Sequence, residues 1–370
     1  MLRRRMPNLP ALAFLFLFSL MPRLIWLSSL PRPYLTPDEI IYPQAGRAYI
    51  NGVMHGNLTS FRLNAEHPPL AKLILGTLLT LIPSYWFSDI DVQRGLCAGL
   101  SSITCVIIWL HLKRYGYKVA LAGWLLASID PLSVHYSIAL LDVAATMFLT
   151  LSMYLALRKE CSLRPNSIQT GIAGGLAALC KYSALPIFLG TLFLEHVFII
   201  GKSRKLKELA ITTFFSVVVI LVGNPLFWPP TILGYSGLEA LSSSSSVYSL
   251  GPGIFFAFDW LEPALRSTAQ GRMVFYLSMF FSYACVFPFK LFAECIVAWV
   301  MLGCLLYRVK ERRQLSDDQL SLIPSVVSSI LFFWLIGKSR IEFYYAVMMV
   351  PPMTLLAAIM LPLSRRPRSC

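Results

Sequence analysis

Charged side chains are scarce in this sequence of 370 residues. They make up 14% of the chain, whereas 56% of the residues are hydrophobic. Soluble chains have about a quarter charged and about 45–50% apolar residues. Water cannot solvate so apolar a chain, so a bilayer must cover much of its surface. The composition excludes an ordinary soluble domain and predicts an all-α, polytopic transmembrane protein surrounded by membrane lipids.

The usual cofactor motifs are also missing. The eight cysteines show no CxxC or zinc-finger spacing, and no Gly-rich phosphate loop precedes a helix. We therefore expect no resident metal or other cofactor, while dependence on Mg²⁺ stays open. No internal repeat is visible either. Many transporters have such repeats, so this absence disfavours a transporter.

The net charge of +14 is explained by membrane topology rather than by binding to nucleic acid. Lysine and arginine concentrate in short segments between the apolar runs, and such segments face the cytoplasm. If all these basic segments are cytoplasmic, the chain crosses the membrane about ten times and both termini are cytoplasmic. We expect this membrane to be a plasma membrane or an inner membrane. These basic segments are residues 1–8, 112–118, 158–168, 201–208, 308–314 and 363–370.

Not every apolar run crosses the membrane once. The run from Leu9 is similar to a signal peptide, but we interpret it as a first spanning helix that is not cleaved off. Run 70–87 is short and contains Pro83, so we interpret it as a helix at the outer interface or as a re-entrant helix. Run 168–200 is too long for one crossing, so it predicts two helices with a turn near Lys181. In run 273–307, about 286–307 crosses.

This topology gives a single transmembrane domain, 1–370, with two large outer loops. The first covers residues 29–93 and contains short helical patterns, so we expect ordered juxtamembrane helices there. The second covers residues 229–285 and includes a serine run and a Gly-Pro-Gly sequence. Loops of this length are commonly functional or disordered.

Several ionisable residues fall on the outer side of this topology, where charges at membrane depth usually face a cavity or each other. Each also has a structural interpretation: Asp38 or Asp142 can cap a helix, Arg94 can snorkel, and Lys181 can anchor an interface. Asp130 precedes Pro131 and is interpreted as a kink. The outer group comprises Asp38, Glu39, Glu66, His67, Lys72, Arg94, Asp130, Asp142, Lys181, Lys338, Arg340 and Glu342.

Carboxylates and fixed cations at a lipid–water boundary suit sugar transfer from a lipid phosphate. The acceptor hydroxyl needs a general base, and the departing phosphate needs positive charge. A transporter or flippase of lipid-linked or anionic solutes is the alternative, and it predicts charges spread across the bilayer. An inactive scaffold with the same fold is a third hypothesis.

The order of motifs resembles the GT-C class of membrane glycosyltransferases, specifically the protein O-mannosyltransferases and the aminoarabinose transferases of lipid A. The first outer loop carries the pattern as Thr36-Pro37-Asp38-Glu39, then Glu66-His67-Pro68-Pro69-Leu70-Ala71-Lys72, then Arg94. Further matches are Leu141-Asp142, Lys181-Tyr182, and Lys338 with Tyr344-Tyr345. The resemblance covers most of the chain and is strong over residues 34–160.

The resemblance implies roles for these residues. Asp38 would be the base and Glu39 would help to hold the acceptor, while Arg94 would lie near the carrier phosphate. Further contacts to the phosphate or substrate are expected from Lys181, Lys338, Arg340, Asp142, Glu66, His67, Lys72 and Tyr345.

The resemblance also implies the reaction: inverting transfer of a sugar, mannose by the family's example, from a polyprenyl or dolichyl phosphate. The acceptor is a hydroxyl of a protein Ser/Thr, a glycan or a lipid A-like glycolipid, on the outer face. In some bacterial relatives a Glu matching Glu66 and a His in the second loop bind a metal. Residues 229–285 contain no His, so we expect no metal there.

Overall fold

The structure is a computed structural model of the whole chain. It describes residues 9–30, 38–65, 67–157, 163–198, 204–233, 295–311, 317–320, 322–336 and 347–361, besides the isolated positions 291, 293 and 315. All regular elements within these ranges are helices, so the all-α expectation is confirmed.

The helices follow the predicted apolar runs. Those of the first half are α1 (Leu9–Ser29), α2 (Asp38–Met54), α3 (Leu70–Leu81), α4 (Asp89–Leu112), α5 (Tyr117–Ile129), α6 (Pro131–His135) and α7 (Leu140–Ala156). Those of the second half are α8 (Leu163–Cys180), α9 (Ala184–Phe198), α10 (Arg204–Gly223), α11 (Pro230–Leu233), α12 (Ile296–Lys310), α13 (Asp317–Leu320), α14 (Ile323–Ile336) and α15 (Val350–Met360).

Three of the described helices are long and apolar enough to cross a membrane: Leu9–Ser29, Asp89–Tyr115 and Leu206–Gly223. Shorter apolar helices accompany them, among them α5 and α7. Large apolar side chains on α1 and α10, such as Phe14 and Phe214, are exposed, as expected for a surface that lipid covers. The number of ten crossings and the side of each loop stay predictions.

Helix α4 is the centre of the bundle. It begins with a capping box, in which the Ser88 side chain accepts from the Asp91 N–H and the Asp91 carboxylate accepts from the Ser88 N–H. Helices α1, α5 and α7 all pack against α4. The bundle then continues from α7 to α8 and from α8 to α10. On the other side α15 packs against α5 and α12, so the core extends from the first helix to the last.

A buried arginine joins four helices in the interior. Arg23 of α1 is fully buried, and all its donors reach neutral acceptors. Two of these acceptors are the carbonyl oxygens of Ala127, at 3.3 Å, and Ser128, at 3.0 Å, near the end of α5. The last carbonyls of a helix have no donor within the helix. Arg23 therefore satisfies groups that the end of α5 leaves open.

The predicted kink at Asp130 is a double helix cap. The chain leaves the helical conformation at Asp130, with ψ 122°, because a residue before proline avoids it. One carboxylate oxygen accepts from the N–H of Ser133, at 3.2 Å, at the start of α6. The other accepts from the N–H of Val297, at 3.1 Å, at the start of α12. Asp130 thereby joins the start of α12 to the junction between α5 and α6.

The first outer loop folds into a layer of α2 and α3. The two helices cross where Gly46 meets Gly76, so closely that a Cβ built on Gly76 would lie 2.1 Å from the Gly46 carbonyl oxygen. Only glycine permits such an approach at this crossing. Run 70–87 thus contains the predicted helix over Leu70–Leu81, followed by a turn. Its position relative to the bilayer stays a prediction.

Candidate active site

The first outer helix begins at the two predicted catalytic carboxylates. Asp38 is half-buried and Glu39 is buried, and both belong to the first turn of α2. Negative charge is favourable there because the first turn of a helix has unpaired N–H groups. The helical part of the expectation for this loop is confirmed, and the order of the residues places both carboxylates at one helix end.

Glu39 and Arg94 form a buried ion pair. The guanidinium donates from Nε to Oε1 at 2.8 Å and from Nη2 to Oε2 at 3.1 Å. The side chains are only 1% and 6% exposed, respectively. Such a bidentate contact fixes orientation as well as distance. It also joins the start of α2 to the N-terminal part of α4, 55 residues later in the sequence.

A second ion pair joins α7 to the turn between α8 and α9. That turn covers residues 181–183, so the predicted division of run 168–200 near Lys181 is confirmed. The Lys181 ammonium donates to both carboxylate oxygens of Asp142, each at 2.6 Å. Asp142 lies in the first turn of α7. The predicted cap residue and the predicted interfacial anchor are therefore partners.

The two ion pairs adjoin through Asp38. Its carboxylate is close enough to Asp142 for the two negative charges to repel each other. Asp38 thus directly precedes Glu39 of the first pair and lies near Asp142 of the second. A half-buried carboxylate near two carboxylate–cation pairs is an arrangement suited to a base that acts beside an anionic leaving group.

The turn that carries Lys181 has a support that sequence reasoning missed. The side-chain amide of Asn224 donates to the hydroxyl of Tyr182 at 2.7 Å, and Asn224 is buried. Asn224 follows α10 directly and precedes Pro225. This Asn-Pro pair at the end of an apolar run was the available signal, since a buried amide needs a partner.

His67 precedes α3, and Lys72 lies in the first turn of α3. The Lys72 ammonium is buried and donates to the Asn64 carbonyl at 2.7 Å, the Asn64 side chain at 3.0 Å and the His67 carbonyl at 2.9 Å. It also lies over the Tyr49 ring, 5.2 Å from the centroid. These contacts hold the chain before α3 in place, so the described geometry gives Lys72 a positioning role. Its predicted contact with substrate stays a prediction.

Four predicted site residues lie outside the described residues: Glu66, Lys338, Arg340 and Tyr345. Within the described ranges, no group of three or more His, Cys, Asp or Glu side chains could hold a metal ion. The expectation that no metal is bound near Glu66 therefore stays untested.

A third ion pair links α2 to the start of α4. Arg47 of α2 donates to both carboxylate oxygens of Asp89, at 3.0 and 2.6 Å, and to the Leu79 carbonyl at the end of α3. The hydrogen bond to Asp89 raises the pKa of the Arg47 guanidinium above its ordinary value. Both side chains are about two-fifths exposed, at 42% and 39%. This pair is a useful reference for the buried ones.

Comparison with known proteins places the chain in a structural context. The family model described as dolichyl-phosphate-mannose-protein mannosyltransferase matches residues 66–228. A search of curated proteins found no match. Among solved structures, the fold is similar to the crystal structure of ArnT from Cupriavidus metallidurans bound to undecaprenyl phosphate, with a TM-score of 0.56 and 18% sequence identity.

The structural match covers 95% of this chain and 60% of that one. This chain therefore spans about three-fifths of the length of the protein that it resembles. At this level of identity the match shows the fold, and the family model supports it over the central part of the sequence. The chain thus resembles the GT-C class of membrane glycosyltransferases both in its central sequence and in its fold.

Proposed function

We propose that this protein transfers a sugar from a polyprenyl-phosphate carrier to a hydroxyl acceptor at the outer face of the membrane. One observation carries the proposal. Asp38, a half-buried carboxylate, directly precedes Glu39 of the buried Glu39–Arg94 pair and is close enough to repel Asp142 of the buried Asp142–Lys181 pair. The similar structure contains undecaprenyl phosphate, which supports a carrier of this chemical class.

The reaction is a single displacement at the anomeric carbon. Asp38 takes the proton of the acceptor hydroxyl while the hydroxyl oxygen forms the new bond to the sugar. The bond between the anomeric carbon and the phosphate oxygen breaks, and its electron pair leaves with the lipid phosphate. The configuration of the sugar inverts in this step.

Arg94 and Lys181 stabilise the departing phosphate. Glu39 occupies the Nε–Nη2 edge of Arg94, so a phosphate oxygen would approach the other edge of the guanidinium. Fixed cations at a water-poor site stabilise developing negative charge more strongly than they would in water. Glu39 keeps the guanidinium oriented, and Lys338 and Arg340 are further cations proposed for this phosphate.

Mannose is the sugar that the matching family model favours, and dolichyl or undecaprenyl phosphate are the carriers to test with it. The acceptor classes are a protein Ser or Thr, a glycan, and a lipid A-like glycolipid. Asp38 acts on the acceptor hydroxyl and the two cations act on the carrier phosphate, and all three acceptor classes offer a hydroxyl. The proposal therefore concerns the reaction class and ranks protein first, on the family model alone.

Replacing Asp38 tests the proposed base. Asp38→Asn keeps the shape of the side chain but cannot take a proton, so turnover should fall by about 10²–10⁴. Asp91→Asn is the matched control, because Asp91 has the same chemistry in the capping box of α4 and should retain activity. Wild-type turnover by a folded Asp38→Asn protein would remove Asp38 from the role.

A further inference from the structure

The two buried ion pairs of the site differ in how they are held. Glu39–Arg94 is a bidentate contact between a carboxylate and a planar guanidinium, with 1% and 6% of the side chains exposed. Asp142–Lys181 joins a carboxylate to a lysine, with 5% and 12% exposed. An ammonium on a flexible four-carbon chain changes partners more readily than a guanidinium that is fixed in a fork. Lys181 is therefore the more mobile cation.

The carboxylate partner of Lys181 also competes with any phosphate. Asp142 occupies two hydrogen bonds of the ammonium, each 2.6 Å long. A phosphate oxygen that approached Lys181 would have to share or displace this contact. Asp38 also lies close enough to Asp142 for the two carboxylates to repel each other.

We propose that Lys181 exchanges partners during the reaction: Asp142 holds it before the carrier binds, and it turns to the carrier phosphate when the carrier binds. Asp142 is then a positioning residue that lowers the affinity for the carrier and its phosphate product. This inference rests on the proposed function, because it needs a phosphate at the site. The Glu39–Arg94 pair stays intact throughout and provides the fixed part of the site.

The exchange has a consequence for turnover. Lys181 returns to Asp142 as the lipid phosphate leaves, so the pair assists product release. Without the Asp142 charge, the product phosphate should bind too tightly. We expect Asp142→Asn to lower both KM for the carrier and kcat, whereas a purely structural defect would lower kcat or raise KM.

The test is the equilibrium binding of undecaprenyl phosphate to the full-length protein in detergent micelles. Asp142→Asn should bind it on the order of tenfold more tightly than the wild type, because a close charge that competes for Lys181 has been removed. Lys181→Met should bind it more weakly. The double variant should match Lys181→Met, since Asp142 acts through the lysine.

Asp89→Asn is the matched control. It removes a carboxylate with the same change of net charge from the exposed Arg47–Asp89 pair on the same layer. Its affinity for undecaprenyl phosphate should equal that of the wild type, because exposed charges are screened by salt. Equal tightening in Asp89→Asn and Asp142→Asn would show a general charge effect and overturn the exchange.

Other outcomes also decide the question. Unchanged or weaker binding by Asp142→Asn, or tighter binding that persists in the double variant, overturns the exchange while the proposed function stands. If the wild type binds neither undecaprenyl phosphate nor dolichyl phosphate, the proposed carrier is overturned and the exchange with it. Asp142→Ser removes the same charge with a smaller side chain and gives the same readout if the Asn variant does not fold.

Discussion

The three ion pairs Arg47–Asp89, Glu39–Arg94 and Asp142–Lys181 show how burial changes the value of a contact. Arg47–Asp89 is exposed, so solvent and salt screen its attraction and it contributes about 0–1 kcal/mol to stability. Glu39–Arg94 is buried, and removal of one partner leaves a buried charge without compensation. The second pair therefore matters more to the fold as well as to the site.

Neutralising the carboxylate of each pair should lower the free energy of unfolding more for the buried pair than for the exposed pair. Glu39→Gln keeps one hydrogen bond to Arg94 but leaves the guanidinium without its counter-charge, so the free energy of unfolding should fall by about 1–3 kcal/mol. Asp89→Asn should cost less than about 1 kcal/mol. Thermal unfolding of both proteins in one detergent measures the difference. Equal midpoints would contradict the burial argument.

The residues of the site differ in how far the sequence predicted them. Asp38 and Glu39 were identified by a paired-carboxylate motif within a loop of known pattern. The partnerships Glu39–Arg94 and Asp142–Lys181 join residues that are 55 and 39 positions apart. Sequence spacing carries no information on such contacts, because they arise only when α2, α4, α7 and α8 pack together. All four residues were thus predicted to belong to the site, but the sequence did not show which carboxylate pairs with which cation.

At the scale of the helices, the junction between α5 and α6 depends on one side chain of α1. Arg23 donates to carbonyl groups that lose their intrahelical donors where the chain turns at Asp130. The sequence showed only an arginine beside a proline in an apolar run. Its role required the positions of α4, α5 and α6 around it, since its acceptors come from those helices.

Replacements of Arg23 should show that its geometry matters more than its charge. Arg23→Lys keeps the charge but has three N–H donors on a single nitrogen instead of five spread over a planar guanidinium. Arg23→Met has no donor in its side chain. Both should lower the free energy of unfolding, by about 1–3 kcal/mol for each buried carbonyl left unpaired. Unfolding in detergent measures this. A lysine variant as stable as the wild type would contradict the role of the planar fork.

The crossing of α2 and α3 is a second test at this scale. Gly76→Ala places a Cβ against the Gly46 backbone, 2.1 Å from its carbonyl oxygen, so the helices must separate. Because α2 begins at Asp38, the base should move and turnover should fall along with stability.

Gly99→Ala in α4 is the matched control for that crossing. A Cβ on Gly99 meets nothing within 4 Å. Alanine should there stabilise the helix by about 0.5–1 kcal/mol, because glycine has more freedom to lose. If Gly76→Ala retained the turnover of Gly99→Ala, close contact of α2 and α3 would be unnecessary for the site.

At the scale of the whole molecule, the predicted topology can be tested on one helix. Helix α4 and the turn after it form a span from Asp89 to Tyr115, with exposed Ser84 before it and exposed Lys113 near its end. Single cysteines at these positions should react with a membrane-impermeant thiol reagent from opposite sides, Ser84→Cys from outside and Lys113→Cys from inside. Labelling of both from one side would reject this topology.

The sequence predicted the class of the fold because continuous apolar runs of about 20 residues form helices that span a bilayer. The number of crossings could not be obtained in the same way. Several apolar helices in the structure, such as α5 and α15, are shorter than a full span, and periodicity does not distinguish a tilted short crossing from an interfacial helix.

The most direct test of the proposed function is the fate of the carrier. Purified wild-type protein would be incubated with polyprenyl-phosphate mannose, labelled in the sugar, together with peptide, glycan or glycolipid acceptors. The account predicts that lipid phosphate and glycosylated acceptor appear in equal amounts, and that Asp38→Asn forms neither at a comparable rate. Intact carrier after incubation of folded wild-type protein with every lipid-linked sugar and acceptor tested would contradict it.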